Sequence, residues 1–320
     1  MMTLTELASA VNGTLSGKKD TRFTGVSIDG RSLKPGDLYV AIKGEHYDGH
    51  DFVNQASQAG AAGCLIEYPH HADIASVHVD QTRLALGSLA KYWRQRFEDL
   101  PVIAITGSNG KTTVKELTTS ILSQQYKTLA TAGNLNNELG VPLTLLKLTN
   151  DHQAAVIEMG ANHPGEIAYL SNLTQPDIGV VTNAGSAHLE GFGDLQGVAN
   201  AKGELFSALS ANATAIINAD DGFFSEWQSM AKQTEILSFG FSKHADIRAT
   251  NIKVNPVTQG IHSLFQLEYL GQTQQVHLPL SGRHNISNAL AASAVGIALG
   301  LALSTIADGL ASVAPVSGRL

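Results

Sequence analysis

The stretch that decides the fold reads Val102-Ile103-Ala104-Ile105-Thr106-Gly107-Ser108-Asn109-Gly110-Lys111-Thr112-Thr113. It begins as a short apolar strand and continues as a glycine-rich loop, and the residues after it predict a helix. Glycines let backbone N–H groups curve around an anion, a lysine adds positive charge, and a first threonine can ligate Mg²⁺. The N-terminus of the helix favours the same anion. The pattern predicts a phosphate-binding loop, and the alternative is an ordinary strand–turn–helix corner.

The bulk composition is that of a soluble protein with room for about two domains. Of its 320 residues, 43% are hydrophobic and 15% are charged, which excludes wholesale disorder. The formal net charge of −7, without clustered Lys or Arg, argues against nucleic acid as a partner. The single cysteine, Cys64, excludes an intrachain disulfide. Because the N-terminus also lacks a signal-peptide pattern, we expect a cytoplasmic protein.

The chain as a whole predicts an α/β fold, because strand patterns alternate with helix patterns. Residues 1–83 form a small N-terminal α/β domain in this interpretation, and residues 84–315 form a central P-loop domain with a mostly parallel sheet. Near the end of the central domain, the segments 246–254, 261–270 and 273–280 alternate apolar and polar positions, with turn residues between them, and predict an antiparallel β annex. The most apolar stretch, 288–303, is shorter than the ~20 residues of a membrane span and predicts a buried helix.

Two polar residues lie at or just beyond the carboxyl ends of strands in the predicted parallel sheet. Glu158 ends an otherwise apolar strand, at the sheet edge where such folds place their ligands. It is a candidate for Mg²⁺ coordination, and the alternative is a solvated strand end. His188 lies in a glycine-rich loop after the strand that ends at Thr182. It is a candidate ligand or base, and the alternative is an ordinary loop histidine.

Lys202 lies among apolar residues that follow helical steps of three and four: Leu195, Val198, Ala199, Leu205, Phe206 and Leu209. A lysine on such a stripe extends its amine to solvent, pairs with another group, or loses its charge. A neutral amine can capture CO₂ and become an anionic carbamate. Farther along, Asn285 and Asn288 share one face of a predicted helix. Asn285 suits a helix cap, whereas the Asn288 amide could recognise an adenine edge.

Together these motifs resemble the Mur ligases, the ATP-dependent amino-acid ligases of peptidoglycan synthesis. Residues 106–113 are similar to the family's T-G-x-N-G-K-T-T loop. Blocks 131–142, 158–167 and 187–193 resemble the branch that joins D-alanyl-D-alanine to UDP-N-acetylmuramoyl-tripeptide. The resemblance implies that reaction through an acyl phosphate, with these two small molecules as substrates and with ATP and Mg²⁺ as cofactors. We expect a monomer.

The resemblance also implies roles for single residues. Catalysis is assigned to Lys111, His188 and carbamylated Lys202. Metal binding is assigned to Thr112, Glu158 and His188. Nucleotide binding is assigned to Gly107, Ser108, Asn109, Gly110, Lys111, Thr112, Thr113, Asn288 and Arg319. Substrate binding is assigned to Ser27, Arg31, Asn134 and Asn137.

The length of the chain differs from that of the family. Mur ligases carry a third, Rossmann-like C-terminal domain that closes over ATP, and we expect residues 316–320 to start the linker to this domain, which the chain lacks. One alternative function is therefore a substrate-binding fragment without turnover. Others are a sibling ligase that adds a single amino acid and a folate polyglutamylating ligase. A P-loop GTPase would need an Asn-Lys-x-Asp motif, which the sequence does not contain.

Overall fold

The computed structural model describes residues 1–185, 189–254 and 262–313. Their contacts divide the chain into two units. Unit 1 comprises Met1–Glu98 and Glu138–Leu148, and unit 2 comprises Asp99–Asn137 and Thr149–Leu320. The domain boundaries at residues 83 and 315 come from sequence patterns and stay predictions.

The elements of the described residues follow in chain order. Up to residue 98 they are β1 (Met2–Thr3), α1 (Leu4–Ala10), β2 (Thr14–Ser16), β3 (Arg22–Phe23), β4 (Val26–Ser27), β5 (Leu38–Val40), a 3₁₀ turn (Gly49–Phe52), α2 (Val53–Gln58), β6 (Gly63–Ile66), β7 (Ser76–His78) and α3 (Thr82–Arg94). After residue 98 they are β8 (Val102–Thr106), α4 (Lys111–Leu122), β9 (Thr128–Ala130), α5 (Gly140–Leu145), β10 (Ala154–Glu158), α6 (Glu166–Thr174), β11 (Ile178–Val181), α7 (Leu189–Phe192), α8 (Leu195–Ser207), β12 (Thr214–Asn218), α9 (Phe224–Met230), β13 (Glu235–Gly240), β14 (Ile247–Val254), β15 (Ser263–Tyr269), β16 (Gln272–Leu278), α10 (Arg283–Ala298) and α11 (Leu303–Ala311).

Unit 1 is a small α/β structure, as the sequence predicts. Its main sheet has the order β2-β7-β6-β5-β4, in which β4 to β7 are parallel and β2 is antiparallel to β7. Strands β5 and β6 are buried along their whole length, as is typical of parallel strands covered on both faces. A separate short pair joins β1 to β3. One apolar cluster of this unit consists of Tyr39, Ala41, Val53, Ala56, Cys64 and Ile66.

Unit 2 contains a mixed sheet with the order β16-β15-β14-β13-β12-β11-β8-β10-β9 among the described residues. Strands β8 to β13 are parallel to each of their neighbours. Strand β14 is parallel to β13 but antiparallel to β15, and β15 pairs antiparallel with β16. The predicted antiparallel annex is therefore confirmed. It continues the main sheet, because Phe239 of β13 pairs with Ile247 of β14.

The strand ends of unit 2 meet at one edge. Strand β8 lies between β10 and β11, and the register pairs Glu158 with Ile105 and Val181 with Thr106. From β8 the chain passes to β9 and β10 on one side, and β11 lies on the other side. Such a switch point opens a crevice at the carboxyl ends of the strands, where open α/β sheets bind ligands.

The buried helix predicted at 288–303 begins earlier and ends earlier in the structure. Helix α10 runs from Arg283 to Ala298 and packs on α4. The chain then turns at Gly300, whose φ of +75° favours glycine, and α11 begins at Leu303. Among the described residues, no helix combines the length and the apolar character needed to cross a membrane.

We predict that Gly309→Ala destabilises the protein. A Cβ at Gly309 in α11 would lie 2.4 Å from the Cα of Ile121 in α4, and a backbone atom cannot rotate away. We expect the free energy of unfolding to fall by about 1–3 kcal/mol, as for other overpacked cores. Urea unfolding measures this change. Gly222→Ala is the matched control, because no atom lies within 4 Å of its added Cβ. Equal urea midpoints for the two variants would contradict the prediction.

Candidate functional site

The phosphate loop (residues 107–110, followed directly by the first turn of α4) needs glycine at two positions. Gly107 has a φ of +140°, and a Cβ there would lie 2.0 Å from the Thr182 hydroxyl oxygen. Gly110 has a φ of +81° and caps α4, and its Cβ would lie 2.4 Å from Oδ1 of Asn288. Both glycines therefore combine a left-handed backbone with a close neighbour. The second contact also brings Asn288, from a distant part of the sequence, onto the loop.

The segment after β11 holds the phosphate loop in place. Ser108 N donates to Asn183 O at 2.9 Å, and Asn109 N donates to Asn183 Oδ1 at 3.1 Å. The Thr182 hydroxyl donates to Asn109 O at 2.6 Å, and Gly185 N donates to the Ser108 hydroxyl at 2.9 Å. These bonds hold the loop against the segment that follows β11. Thr182 and Asn183 were not among the predicted site residues, although both directly follow a strand of the parallel sheet.

Lys111 begins α4, and its side chain lies along the loop that precedes it. Its Nζ donates to Gly107 O at 2.7 Å and to Ser108 O at 3.2 Å. Thr112 and Thr113 lie beside it in the first helical turn, where backbone N–H groups and the helix dipole favour an anion. The strand, glycine turn and helix predicted around this loop are confirmed.

Glu158 is buried at the end of β10, with 2% of its surface exposed. Its Oε1 accepts a hydrogen bond from Asn136 Nδ2 at 2.8 Å, and its backbone N donates to the Thr131 hydroxyl at 3.0 Å. Its Oε2 is buried without a hydrogen-bond partner among the described residues. The alternative of a solvated strand end is therefore wrong. Asn136 and Thr131 were not among the predicted site residues, although both lie in the block 131–142.

The unpartnered oxygen of Glu158 suits a cation. A buried carboxylate oxygen without a donor is costly, and a metal ion would offset that cost. Among the described residues, no group of three or more His, Cys, Asp and Glu side chains could hold a metal by itself. Mg²⁺ does not need such a group, because it commonly binds one or two carboxylates together with phosphate oxygens and water. The residues present therefore fit a cation that is shared with a phosphate group.

Lys202 lies in α8 with 2% of its surface exposed, which excludes an amine that extends to solvent. Its Nζ donates a long hydrogen bond of 3.5 Å to Ala161 O. The same atom lies 5.2 Å from the centre of the Phe192 ring. The helical stripe predicted from the spacing is confirmed in its central part, since Val198, Ala199, Leu205 and Phe206 are buried in the same helix. The prediction is wrong at the two ends, because Leu195 is exposed and Leu209 lies beyond the last residue of α8.

The surroundings of Lys202 weaken its proton affinity. Burial lowers the pKa of its amine to about 8, and the positive charge of Lys111 acts in the same direction. The carboxylates of Glu166 and Glu204 oppose these two effects. A neutral fraction of the amine is therefore present near neutral pH, and only the neutral form is nucleophilic.

The loop between β10 and α6 is fixed by the same two carboxylates. Glu204 accepts hydrogen bonds from Gly165 N at 2.7 Å and Ala168 N at 3.0 Å, and it thereby caps α6 from a neighbouring helix. Glu166 Oε2 accepts a hydrogen bond from Asn162 N at 2.7 Å. Because Glu204 follows Lys202 by two residues, α8 supplies both the buried amine and the support of this loop.

Asn288 lies in the first turns of α10 and is 8% exposed. Its Nδ2 is 3.4 Å from Asn285 Oδ1, and Asn285 Nδ2 donates to Ser281 O at 2.8 Å. Gly282 occupies the N-cap position, so the alternative of Asn285 as the helix cap is wrong. The side-chain amide of Asn288 therefore lies next to Gly110 of the phosphate loop.

Unit 1 has a pocket of about 560 Å³ near the predicted substrate residues. Its lining includes Asp29, Arg31, Tyr39, Tyr47 and Phe52. Arg31 pairs with the Asp29 carboxylate at 2.7 Å and lowers the pKa of Asp29 to about 2. The pocket therefore combines aromatic rings with an exposed ion pair.

The other predicted site residues are described one by one. Ser27 is buried, and its hydroxyl donates to Asp29 O at 2.9 Å. Asn134 and Asn137 are exposed in unit 2. His188 and Arg319 lie outside the described residues.

Comparison with known proteins adds family matches along the chain. Residues 105–296 match the Mur ligase middle domain, and residues 22–94 match the Mur ligase family catalytic domain. The UDP-N-acetylmuramoyl-tripeptide–D-alanyl-D-alanine ligase of Escherichia coli (strain K12) is 48% identical over 320 residues. The alignment covers 100% of this chain and 70% of that protein.

Two solved structures are similar over most of the chain. The MurF crystal structure from Acinetobacter baumannii has a TM-score of 0.93 at 41% identity, covering 100% of this chain and 70% of that one. The MurF ligase from Thermotoga maritima, solved in complex with ADP, has a TM-score of 0.80 at 29% identity. It covers 93% of this chain and 67% of that one.

We predict that Lys202 makes stability depend on pH. Its folded pKa of about 8 lies below the ordinary value of 10.5. Between these values the unfolded chain binds more protons, so the free energy of unfolding rises from pH 8 toward pH 10.5. Below pH 8 the full cost of burying the charge is present. Lys202→Met should remove this rise and stabilise the protein at pH 7 by as much as about 3 kcal/mol.

Urea unfolding in CO₂-free buffers from pH 7 to pH 10 checks this expectation. Lys232→Met is the matched control, because Lys232 is exposed, and it should keep the pH dependence of the wild type. Parallel pH profiles for wild type and Lys202→Met would show that the amine is not perturbed.

Proposed function

This chain belongs to the Mur ligase family, and from that premise we propose that its reaction is the ATP-dependent joining of D-alanyl-D-alanine to UDP-N-acetylmuramoyl-tripeptide. The observation that carries the proposal is the 48% identity, over the whole chain, to the Escherichia coli ligase named for that reaction. The site supports it with a phosphate loop, a buried carboxylate with a free oxygen, and a buried lysine of lowered pKa.

The proposed reaction has two steps. The terminal carboxylate of the UDP-linked tripeptide attacks the γ-phosphorus of ATP, the bond to the β-phosphate oxygen breaks, and ADP leaves. The amine of D-alanyl-D-alanine then attacks the carbonyl carbon of the acyl phosphate. An amide bond forms, inorganic phosphate leaves, and the amine loses a proton. Both steps depend on positioning and on compensation of negative charge, which Lys111 and the N-terminus of α4 provide.

Thr112 and Glu158 are the residues that would hold Mg²⁺. Glu158 offers its unpartnered Oε2, and Thr112 lies in the first turn after the loop. When bound, Mg²⁺ compensates negative charge on the phosphate oxygens during transfer. The role of His188 as a further metal ligand stays a prediction.

Lys202 suits carbamylation. Its neutral amine would form a bond to the carbon of CO₂ and release a proton, which leaves an anionic carbamate. The change replaces a buried cation, which the nearby charge of Lys111 disfavours, by an anion that this charge favours. Burial of the side chain also restricts access of water to the product.

We assign one further binding role to each of the two units. We assign the UDP end of the substrate to the unit 1 pocket, where aromatic rings can contact a base and Arg31 can contact a phosphate. We assign adenine recognition to Asn288, whose amide lies at the phosphate loop. The cytoplasmic location, the monomeric state, and the contacts of Ser27, Asn134, Asn137 and Arg319 stay predictions.

Phosphate release distinguishes the proposed reaction from its alternatives. We expect release from ATP only when UDP-tripeptide and D-alanyl-D-alanine are both present. A sibling ligase would accept a single amino acid instead, and a folate ligase would require a folate and glutamate. The Escherichia coli relative is the positive control. If this chain binds UDP-tripeptide in calorimetry but releases no phosphate while its relative does, the binding-fragment alternative is correct.

We predict that Lys202→Ala lowers the ligation rate by about 100-fold or more, in the range that follows loss of a preorganised charged group. Short carboxylic acids should restore part of the rate, because they replace the carbamate anion in the vacated space. Steady-state rates with and without added acetate measure the rescue. Mass spectrometry of the wild type under bicarbonate should show one added CO₂ on Lys202. An unmodified lysine, together with a wild-type rate for Lys202→Ala, would refute carbamylation.

A further inference from the structure

The Glu158 carboxylate is held by only one of its two oxygens. Oε1 accepts the hydrogen bond of Asn136 Nδ2 at 2.8 Å, and buried Oε2 has no hydrogen-bond partner among the described residues. The terminal torsion of a glutamate is broad and roughly two-fold, so the backbone alone does not determine which oxygen points where. The hydrogen bond from Asn136 to Oε1 fixes this torsion and therefore the direction of Oε2.

Asn136 is itself fixed from two sides. Its backbone O accepts a hydrogen bond from Gly160 N at 2.7 Å, and its backbone N donates to Asn134 O at 2.8 Å. A Cβ at Gly160 would lie 3.0 Å from Asn136 Cγ, so the glycine lets the amide approach closely. The amide that orients Glu158 is therefore positioned by the loop that follows Glu158.

Thr131 links the same segment to the helix of the phosphate loop. The Thr131 hydroxyl accepts the backbone hydrogen bond of Glu158 N at 3.0 Å, and Thr131 N donates to Val156 O at 3.0 Å. Thr131 O accepts a hydrogen bond from Nζ of Lys115, a buried residue of α4, at 2.8 Å. The segment 131–136 thus joins the carboxylate to α4 through hydrogen bonds.

We propose that Asn136 is the positioning residue of the cation site, where it binds Oε1 of Glu158 so that Oε2 faces the metal. This inference rests on the proposed function, in which Glu158 holds Mg²⁺. An amide suits the task because it donates a hydrogen bond without adding charge. A lysine or arginine at this position would neutralise the carboxylate and compete with the cation, and an aspartate would repel it.

The test measures how strongly Mg²⁺ and ADP bind together. Calorimetry gives the Kd of ADP in EDTA and in Mg²⁺, and the ratio of the two values is the coupling between the ligands. In Asn136→Ala and in Asn136→Leu, which keeps the side-chain volume, we expect the Kd in EDTA to stay within about twofold of wild type. The tightening by Mg²⁺ should be lost, since residues that orient metal ligands typically contribute about 10- to 100-fold to metal affinity.

Two further variants complete the design. Asn150→Ala, at an exposed asparagine, should retain the full tightening. Glu158→Gln should lose it. If Mg²⁺ does not tighten ADP binding in the wild type, or if Glu158→Gln keeps the effect, the metal assignment in the proposed function is wrong and this inference fails with it.

Other outcomes overturn the inference alone. If Glu158→Gln loses the tightening while both Asn136 variants keep it, the metal site stands and Asn136 does not position it. If the Asn136 variants weaken ADP binding equally in EDTA and in Mg²⁺, Asn136 has a general structural role.

Discussion

The pairing of β8 with β10 on one side and β11 on the other is the constraint on which the site depends. The register brings the ends of the three strands level, with Glu158 opposite Ile105 and Val181 opposite Thr106. The loops that follow these strands therefore emerge side by side. Because β8 and β10 are buried along their whole length, a shift of register by one residue would move every side chain to the opposite face, where other neighbours are packed. The packing of the sheet therefore stabilises the alignment of the loops.

At three positions of unit 2, a glycine allows a neighbouring group to come closer than it could to a residue with a side chain. Gly107 and Gly110 let the phosphate loop pass against Thr182 and Asn288, and Gly160 lets Asn136 approach Glu158. Gly107 and Gly110 have backbone conformations that favour glycine, and at all three positions an added Cβ would lie 3.0 Å or less from a neighbouring atom. Glycine loses more backbone entropy on folding than other residues, and this cost is spent in the segments that form the candidate site.

The charged groups of the candidate site differ in burial and in their partners. Lys111 is half-buried at a helix N-terminus, where its Nζ donates to backbone carbonyls of the preceding loop, and the proposed function has it contact phosphates. Lys202 is buried among apolar side chains, where desolvation lowers its pKa and favours a change of chemical state. Glu158 keeps one satisfied and one unsatisfied oxygen. The two lysines thus have different surroundings, and the proposed function gives them different roles for that reason.

The sequence by itself determined the α/β class, the phosphate loop and the helical stripe of Lys202, because local periodicity and glycine spacing carry that information. It also determined the family, through several blocks in combination. Only the tertiary structure showed that Asn136 binds Glu158, that Asn183 binds the loop, and that Asn288 touches Gly110, since these contacts join residues 22, 74 and 178 positions apart. It also excluded a solvated Glu158 and a capping role for Asn285, because burial and cap geometry are set by neighbours that local sequence does not specify.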